Sequence, residues 1–178
     1  MPLTQDARLG PFEILSPLGA GGMGEVYKAR DIRLDRIVAV KTSRQVFSER
    51  FEREARTIAA LNHPNICRLY DVGPDYLVME FIDGQPVAPV DSTRKLLDIA
   101  VQIADGLAAA HAAEIVHRDF KPDNILIARD GRVRILDFGL AKQAAAAEAP
   151  NRPADATRTV ALTEAGTTIG TVAYMSPE

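Results

Sequence analysis

A crowded polar segment between two apolar runs is the feature of this chain that most restricts its fold. Residues 115–127 read IVHRDFKPDNILI, in which apolar residues at both ends enclose eight residues that are mostly charged or amide-bearing. The apolar ends favour burial. Because a buried charge without a partner is costly, the polar centre instead favours a loop that contacts solvent or a ligand. The segment therefore predicts a functional loop that leads into a buried strand.

The sequence on both sides of this loop predicts an α+β fold. Apolar and polar residues alternate over residues 12–29 and 36–41, which predicts a hairpin and a third strand. The runs ICRLYDV and YLVMEFI predict two more strands, the second of which ends at residues 83–84. After the loop, NILIARDGRVRILDFG predicts a hairpin whose turn is Asp130-Gly131.

Two helices are predicted from apolar residues at helical spacing. The first begins at Ser48, which can cap its N-terminus, and ends at His63-Pro64. The second covers residues 91–113 and is predicted with an apolar stripe. That stripe consists of Leu96, Leu97, Ala100, Ile103, Ala104, Leu107, Ala108 and His111. Residues 143–170 are rich in Ala, Thr and Pro and predict a flexible loop.

The overall charge excludes some classes of partner. A net charge of -3 and an isoelectric point near 5.7 provide no general basic field, so neither nucleic acid nor an anionic membrane surface is an expected partner. No uninterrupted apolar run reaches the roughly 18 residues of a spanning helix, so this segment is expected to make no membrane contact. The single cysteine, Cys67, cannot form a disulfide within the chain, which fits a cytoplasmic location.

A glycine-rich turn near the N-terminus indicates a phosphate site. Residues 18–26 read LGAGGMGEV and place Gly19, Gly21 and Gly24 in the spacing G-x-G-x-x-G. Such glycines allow backbone N–H groups to approach phosphate oxygens closely. Dinucleotide-dependent oxidoreductases share this spacing, but there a helix follows the glycines, whereas strand-like residues follow Gly24 here.

Lys41, at the end of the strand VAVK, is a candidate phosphate ligand. On the first predicted helix Glu54 falls within the inward-facing stripe, where a carboxylate requires a cation. A Lys41–Glu54 pair would hold the ammonium group below the glycine turn. The alternative is a surface pair between Glu54 and Arg50 or Arg53.

Acidic and amide residues converge around the polar loop. Asp119 and Asn124 lie within it, and Asp137 follows the second strand of the predicted hairpin. Oxygen ligands of this kind suit Mg²⁺, and a carboxylate that is not bound to the metal can accept a proton from a substrate hydroxyl. Lys121 adds a positive charge at the same place.

These motifs together resemble the eukaryotic-type protein kinase family, in its bacterial style. In chain order they are GAGGMGEV at 19–26, VAVK at 38–41, HRDF with Asn124 at 117–124 and DFG at 137–139. The resemblance spans residues 12–178. It implies a two-lobe fold, with a tail at 1–10, a β-rich small lobe and hinge at 11–84, and an incomplete helical large lobe at 85–178.

The resemblance implies a serine/threonine kinase that uses ATP and Mg²⁺ and acts on protein substrates. Asp119 is then the catalytic base, Lys121 contacts the γ-phosphate, Lys41 contacts the α and β phosphates and is held by Glu54, and Asn124 and Asp137 bind Mg²⁺. The residues implied to contact the nucleotide are Gly19, Ala20, Gly21, Gly22, Met23, Gly24, Val26, Ala39, Lys41, Met79, Glu80, Ile82 and Leu126. Met79 is the gatekeeper, and the backbone of Glu80 and Ile82 bonds the adenine edge.

Further roles follow from the same resemblance. His117 and Phe138 belong to the internal apolar stack, and Arg118 is expected to pair with a phosphorylated threonine. The candidate phosphorylated threonines are Thr163, Thr167 and Thr168. Their phosphorylation in trans implies self-association.

The chain departs from the family pattern at Phe120, Ser176 and Glu178. The first two are mild replacements. Because the last residue is Glu178, we expect a domain truncated after its SPE motif, with exposed apolar residues on the 91–113 helix. The alternative to an active kinase is therefore a truncated ATP-binding or scaffold module without catalysis.

Overall fold

The first half of the chain folds into one antiparallel sheet. A computed structural model describes residues 3–21, 24–44 and 46–138. The six-stranded sheet has the order β1-β2-β3-β4-β6-β5. Its strands are β1 (Arg8–Leu9), β2 (Phe12–Gly21), β3 (Gly24–Asp31), β4 (Arg36–Thr42), β5 (Leu69–Val72) and β6 (Tyr76–Glu80).

Helix α1 (Glu49–Ala59) lies between β4 and β5 in the chain and packs on the sheet. Its N-terminus is capped by Ser48, whose hydroxyl accepts a hydrogen bond from the Phe51 amide at 3.2 Å. Phe51 and Ala55 share one helical face and are buried against Leu77 of β6. The predicted cap is thus confirmed, although the helix ends before His63-Pro64.

The sheet has its own apolar core on one face. The buried residues of this core come from β2, β3, β4 and β6. They are Phe12, Ile14, Tyr27, Ala29, Val38, Val40 and Val78. Because alternate residues of a strand point to the same face, the alternation in the sequence predicts this core.

The second half contains a three-stranded antiparallel sheet of order β7-β8-β9 and one long helix. Its elements are β7 (Gly84–Pro86), α2 (Thr93–Ala112), a 3₁₀ turn (Pro122–Asn124), β8 (Ile125–Ala128) and β9 (Val133–Ile135). The turn at Asp130-Gly131 is confirmed, with Gly131 at a φ of +82°. The order of elements agrees with the predicted α+β class.

Helix α2 differs in part from its prediction in the face that it buries. Ile99, Gly106 and Ala110 are the buried positions. Of the predicted stripe, Ile103 and Leu107 pack against the cores, whereas Leu96 and Leu97 are 54% and 59% exposed, so the prediction holds only in part. The packed face includes Gly106, where an added Cβ would lie 2.8 Å from Ile135 Cδ1. The expected exposure of apolar residues on this helix is confirmed. In the part of the chain that the structure describes, no helix has the length and apolarity to cross a bilayer.

A short segment after α1 connects the two sheets. Ile66 forms a parallel bridge with Ile135 of β9. The Cys67 amide donates to the Ile135 carbonyl at 2.9 Å, and the Ile135 amide donates to the Asn65 carbonyl at 2.8 Å. The buried Asn65 side chain also donates to Gln102 Oε1 at 3.0 Å and to the Val133 carbonyl at 3.1 Å. The two sheets therefore face each other across a cleft with a hydrogen-bonded base.

Candidate active site

A cavity of about 240 Å³ lies between the two sheets. Its lining is mostly apolar, and its charged residues are Glu80 and the paired Lys41 and Asp137. The lining residues are Leu18, Gly19, Val26, Ala39, Lys41, Cys67, Met79, Glu80, Phe81, Ile82, Leu126, Leu136 and Asp137. A narrow apolar slot with a few polar groups suits a flat aromatic ring.

Most of the residues predicted to contact a nucleotide are brought together here. Ala20, Gly21 and Gly24 lie on the adjacent β2–β3 hairpin and do not line the cavity, and Gly22 and Met23 are outside the described residues. Four residues that line the cavity were not predicted from the sequence, namely Leu18, Phe81, Cys67 and Leu136. Leu18, Phe81 and Leu136 each adjoin a predicted residue, which is a signal that the sequence contained, whereas Cys67 reaches the cavity only through the contact between the sheets.

The glycine-rich hairpin makes a close backbone contact with β4. Gly24 has a φ of +142°, and an added Cβ would lie 1.8 Å from the Thr42 carbonyl oxygen. Next to it, the Thr42 hydroxyl donates to the Glu25 carbonyl at 3.2 Å. Gly24 therefore allows the start of β3 to approach the end of β4, where Lys41 is located.

Lys41 is paired with Asp137. The Nζ–Oδ2 distance is 2.7 Å, and the two side chains are 17% and 26% exposed. Glu54 is held instead by Arg50, with Nε and Oε1 3.3 Å apart. The predicted Lys41–Glu54 pair is therefore wrong for this structure, and the surface pair is the one that forms. The physical reason is proximity, because Arg50 lies one turn before Glu54 on the same helix and Asp137 lies directly beside Lys41.

The loop before β8 holds Asp119 by several bonds. The side-chain amide nitrogen of Asn124, Nδ2, donates to the backbone carbonyl of Asp119 at 2.8 Å and lies 3.3 Å from Oδ2 of Asp119. The ammonium group of Lys121 lies 3.3 Å from the same Oδ2. Pro122 begins the 3₁₀ turn that brings Asn124 back towards Asp119. The carboxylate is thus fixed next to a cation while 13% of its side chain stays exposed.

His117 connects this loop to Asp137. Its Nε2 lies 2.7 Å from the Leu136 carbonyl, and its ring contacts that of Phe138 at 4.7 Å between centroids. Burial lowers the pKa of His117 below its ordinary value, so the neutral imidazole donates this hydrogen bond. The position is structural, as the resemblance implies.

Two residues with an uncommon backbone conformation lie at the same place. Arg118 and Asp137 adopt φ values of +62° and +53°, a region that non-glycine residues seldom occupy. Such conformations cluster at functional sites because the surrounding structure has to hold them. Here the Leu136 amide donates to the Asn124 carbonyl at 2.8 Å and fixes one strained segment against the other.

The donor set fits a magnesium ion that is also bound by phosphate. Among the described residues, no cluster of three or more His, Cys, Asp and Glu side chains could hold a metal ion alone. Asn124 uses its amide nitrogen in the bond to Asp119, which leaves its oxygen as the atom that could bind a cation. Asp137 contributes a carboxylate. One or two protein oxygens, completed by water and substrate phosphates, are the usual protein contribution to Mg²⁺ binding.

Gly139 and the candidate threonines Thr163, Thr167 and Thr168 lie outside the described residues. Predictions about them therefore stay predictions.

Comparison with known proteins gives consistent matches. Residues 12–178 match the family model described as protein kinase domain. The chain is 40% identical to the probable serine/threonine-protein kinase SCO3848 of Streptomyces coelicolor, covering 95% of this chain and 26% of that protein. The serine/threonine-protein kinase PrkC of Bacillus subtilis is 37% identical with the same two coverages. PknA of Mycobacterium tuberculosis is 40% identical, and 41% of its length is covered.

Solved structures match as well. The crystal structure of the PknI kinase domain of Mycobacterium tuberculosis aligns with a TM-score of 0.70 and 26% identity. This alignment covers 79% of the present chain and 64% of that domain. The chain thus spans less than half of the length of these curated relatives and about two thirds of the solved domain.

Proposed function

This chain belongs to the protein kinase domain family and has its two-lobe fold, and from that premise we propose that it transfers the γ-phosphate of ATP to serine and threonine hydroxyls of proteins. The observation that carries the proposal is the convergence of Lys41, Asp137 and the loop of Asp119 at one end of an otherwise apolar cavity. In the proposed division, residues 11–84 form the small lobe and hinge, and residues 85–178 form part of the large lobe.

The cavity is the proposed adenine site. Val26 and Ala39 line it from the first sheet and Leu126 from the second, so a planar ring inserted between them would be covered on both faces. The backbone of Glu80 and Ile82 is proposed to bond the polar edge of the ring, with Met79 at the inner end. Apolar walls exclude water and strengthen those hydrogen bonds.

The phosphates are proposed to extend from the cavity towards the glycine-rich hairpin and Lys41. Glycines 19, 21 and 24 present backbone N–H groups without side chains, and the ammonium group of Lys41 supplies positive charge. Mg²⁺, when bound by Asn124 and Asp137, would neutralise charge that develops on the phosphate oxygens.

Asp119 is the proposed base. Its carboxylate accepts the proton of the attacking serine or threonine hydroxyl as the new O–P bond forms and the bond to the β-phosphate oxygen breaks, which releases ADP. Lys121, 3.3 Å from Asp119, provides a positive charge next to the transferring group. The strained backbone at Arg118 and Asp137 holds the reacting groups in position.

The substrates are proposed to be proteins, among them a second copy of this chain phosphorylated at Thr163, Thr167 or Thr168. Arg118 would pair with that phosphate. ATP as co-substrate and a lone cysteine favour the cytoplasm as the site of the reaction.

The test is phosphate transfer by the 178-residue chain. The protein is incubated with ATP and Mg²⁺, weighed intact, and fragmented to locate added phosphate. Asp119→Ala is expected to lower the rate by about 10²- to 10⁴-fold, because a positioned base contributes on that order. Asp123→Ala is the matched control, since Asp123 is an exposed carboxylate of the same loop.

Equal rates in the parent and in Asp119→Ala would refute the proposed base. Binding of ATP without any transfer in the parent would instead identify a nucleotide-binding module without catalysis.

A further inference from the structure

Arg134 lies where three segments of the cleft meet. It is the central residue of β9, and its side chain is only 14% exposed. The guanidinium Nε lies 3.5 Å from Oε1 of Glu80, the last residue of β6. Through Nη1 it also donates to the carbonyl of Pro64, in the segment that follows α1. One side chain therefore connects the second sheet, the first sheet and the segment between them.

Glu80, one of the two partners of Arg134, is also bonded to Arg68 in the segment that contains Pro64. Glu80 donates from its backbone amide to the Arg68 carbonyl at 2.9 Å, and its Oε2 accepts from the Arg68 amide at 3.4 Å. On the opposite side, the Cys67 amide is bonded to the Ile135 carbonyl at 2.9 Å. Residues 64–68 are thus held between β9 and the end of β6. We call Arg134, Glu80, Pro64 and Arg68 the Arg134 cluster.

The partial burial of the Arg134–Glu80 pair distinguishes it from a neighbouring surface pair. Arg132 and Asp130, on the same β8–β9 hairpin, also lie 3.5 Å apart, but their side chains are 61% and 55% exposed. Glu80 is 25% exposed. Because water and salt screen exposed charges, the buried pair restrains its surroundings more strongly at equal distance.

The proposed nucleotide cavity is lined by Glu80 of the cluster and by one residue of the adjoining 64–68 segment. Glu80 begins the stretch to Ile82 whose backbone is proposed to bond the adenine edge, and Cys67 lines the cavity. We propose that Arg134 is a positioning residue for nucleotide binding, which acts through Glu80 and the 64–68 segment and contacts no substrate atom itself. This inference rests on the proposed ATP site.

Cys67 is a reporter for the cluster because it is the only cysteine of the chain. Its alkylation by iodoacetamide, followed by intact mass, measures how often the 64–68 segment opens. Without nucleotide, Arg134→Gln is expected to accelerate alkylation by about two- to tenfold, which corresponds to a coupling of about 0.4 to 1.4 kcal/mol. Arg132→Gln is the matched control and should leave the rate unchanged.

Electrostatics alone predicts the opposite direction. Burial, Glu80 and Asp137 raise the pKa of the Cys67 thiol, whereas Arg134 lowers it. Loss of the Arg134 charge would therefore raise the pKa further and slow alkylation. A slower or unchanged rate in Arg134→Gln would overturn the inference, while Arg134→Lys, which keeps the charge, should restore part of the parent rate.

A second measurement connects the cluster to the nucleotide. ADP with Mg²⁺ should protect Cys67 in the parent, and half-protection should require about two- to tenfold more ADP in Arg134→Gln. The double variant Glu80→Gln, Arg134→Gln should resemble the single Arg134 variant, because the two side chains act as a pair. Equal half-protection in parent and variant, or additive effects in the double variant, would overturn the positioning role.

Failure of the proposed function gives a different result. If ADP protects neither parent nor variant, the proposed ATP site is wrong and the nucleotide-positioning role is overturned with it. The alkylation rates without ADP still decide whether Arg134 holds the 64–68 segment.

Discussion

Replacing Gly24 by alanine should destabilise the fold, because two separate costs arise at that position. The φ of +142° is unfavourable for any residue with a Cβ, at a cost of about 1 kcal/mol. The new Cβ would lie 1.8 Å from the Thr42 carbonyl oxygen and 2.9 Å from its carbon, and backbone atoms cannot rotate away as a side chain can. Separating β3 from β4 adds roughly 1 to 3 kcal/mol. The sum is about 2 to 4 kcal/mol.

Thermal unfolding followed by circular dichroism measures this loss. For a chain of this size, each kcal/mol lowers Tm by roughly 2 to 4 °C, so Gly24→Ala should lower Tm by about 4 to 16 °C. Gly19→Ala is the control within the same glycine motif, since an added Cβ there meets nothing within 4 Å. Its effect on stability should stay within about 0.5 kcal/mol.

In a nucleotide-binding assay the ranking of the two variants should be the reverse of their ranking by loss of stability. Gly19 lines the cavity, so Gly19→Ala should weaken ATP binding with little loss of stability. If Gly24→Ala has the same Tm as the parent chain, or if both variants lose stability equally, the close contact between Gly24 and Thr42 does not restrict the residue at position 24. Either result would refute the reasoning.

Two further predictions concern single hydrogen bonds. Ser48→Ala should lower the free energy of unfolding in urea by about 1 kcal/mol, because the Phe51 amide loses its capping partner; an unchanged urea midpoint would contradict the cap. Burial lowers the pKa of His117 below 6.5, although two nearby carboxylates act in the opposite direction. The unfolded chain therefore binds a proton at His117 more readily than the folded chain, and the free energy of unfolding falls as the pH drops through about 6.5. His117→Gln, which retains a donor for the Leu136 carbonyl, should reduce the loss of stability between about pH 7.5 and 5.5, and parallel pH profiles for parent and variant would refute this.

The strands of the first sheet could be predicted because local pattern and tertiary burial agree there. The alternation in β2, β3 and β4 follows the face that the core occupies. Strands β1 and β7, of two and three residues, were missed. They are too short to show any alternation, and they exist only because β2 and β8 lie beside them.

Features that depend on partners distant in sequence were harder to predict. The loop and the predicted hairpin that follows it indicated that Asp119, Asn124 and Asp137 converge, whereas the place of Lys41 in the same site followed from the resemblance to the kinase family. The partner of Glu54 could not be derived, since ion pairs of this kind differ by less than about 1 kcal/mol. The buried face of α2 was predicted only in part, because a glycine that allows close packing, such as Gly106, has no hydrophobic signal in a sequence pattern.

The open edge of the first sheet has a consequence for self-association. In the part of the chain that the structure describes, residues 6–9 cover β2 only at residues 12–14, so the rest of β2 lies at the border of the sheet. Exposed edges invite addition of strands from other molecules and lead to aggregation. Here Pro17 lacks the N–H that such a strand would require, and the register shifts at residues 14–16 and 17–19 bend the edge away from a straight ladder. Replacing Pro17 by a β-branched residue would therefore remove a barrier to intermolecular sheet formation, and concentrated protein would precipitate sooner.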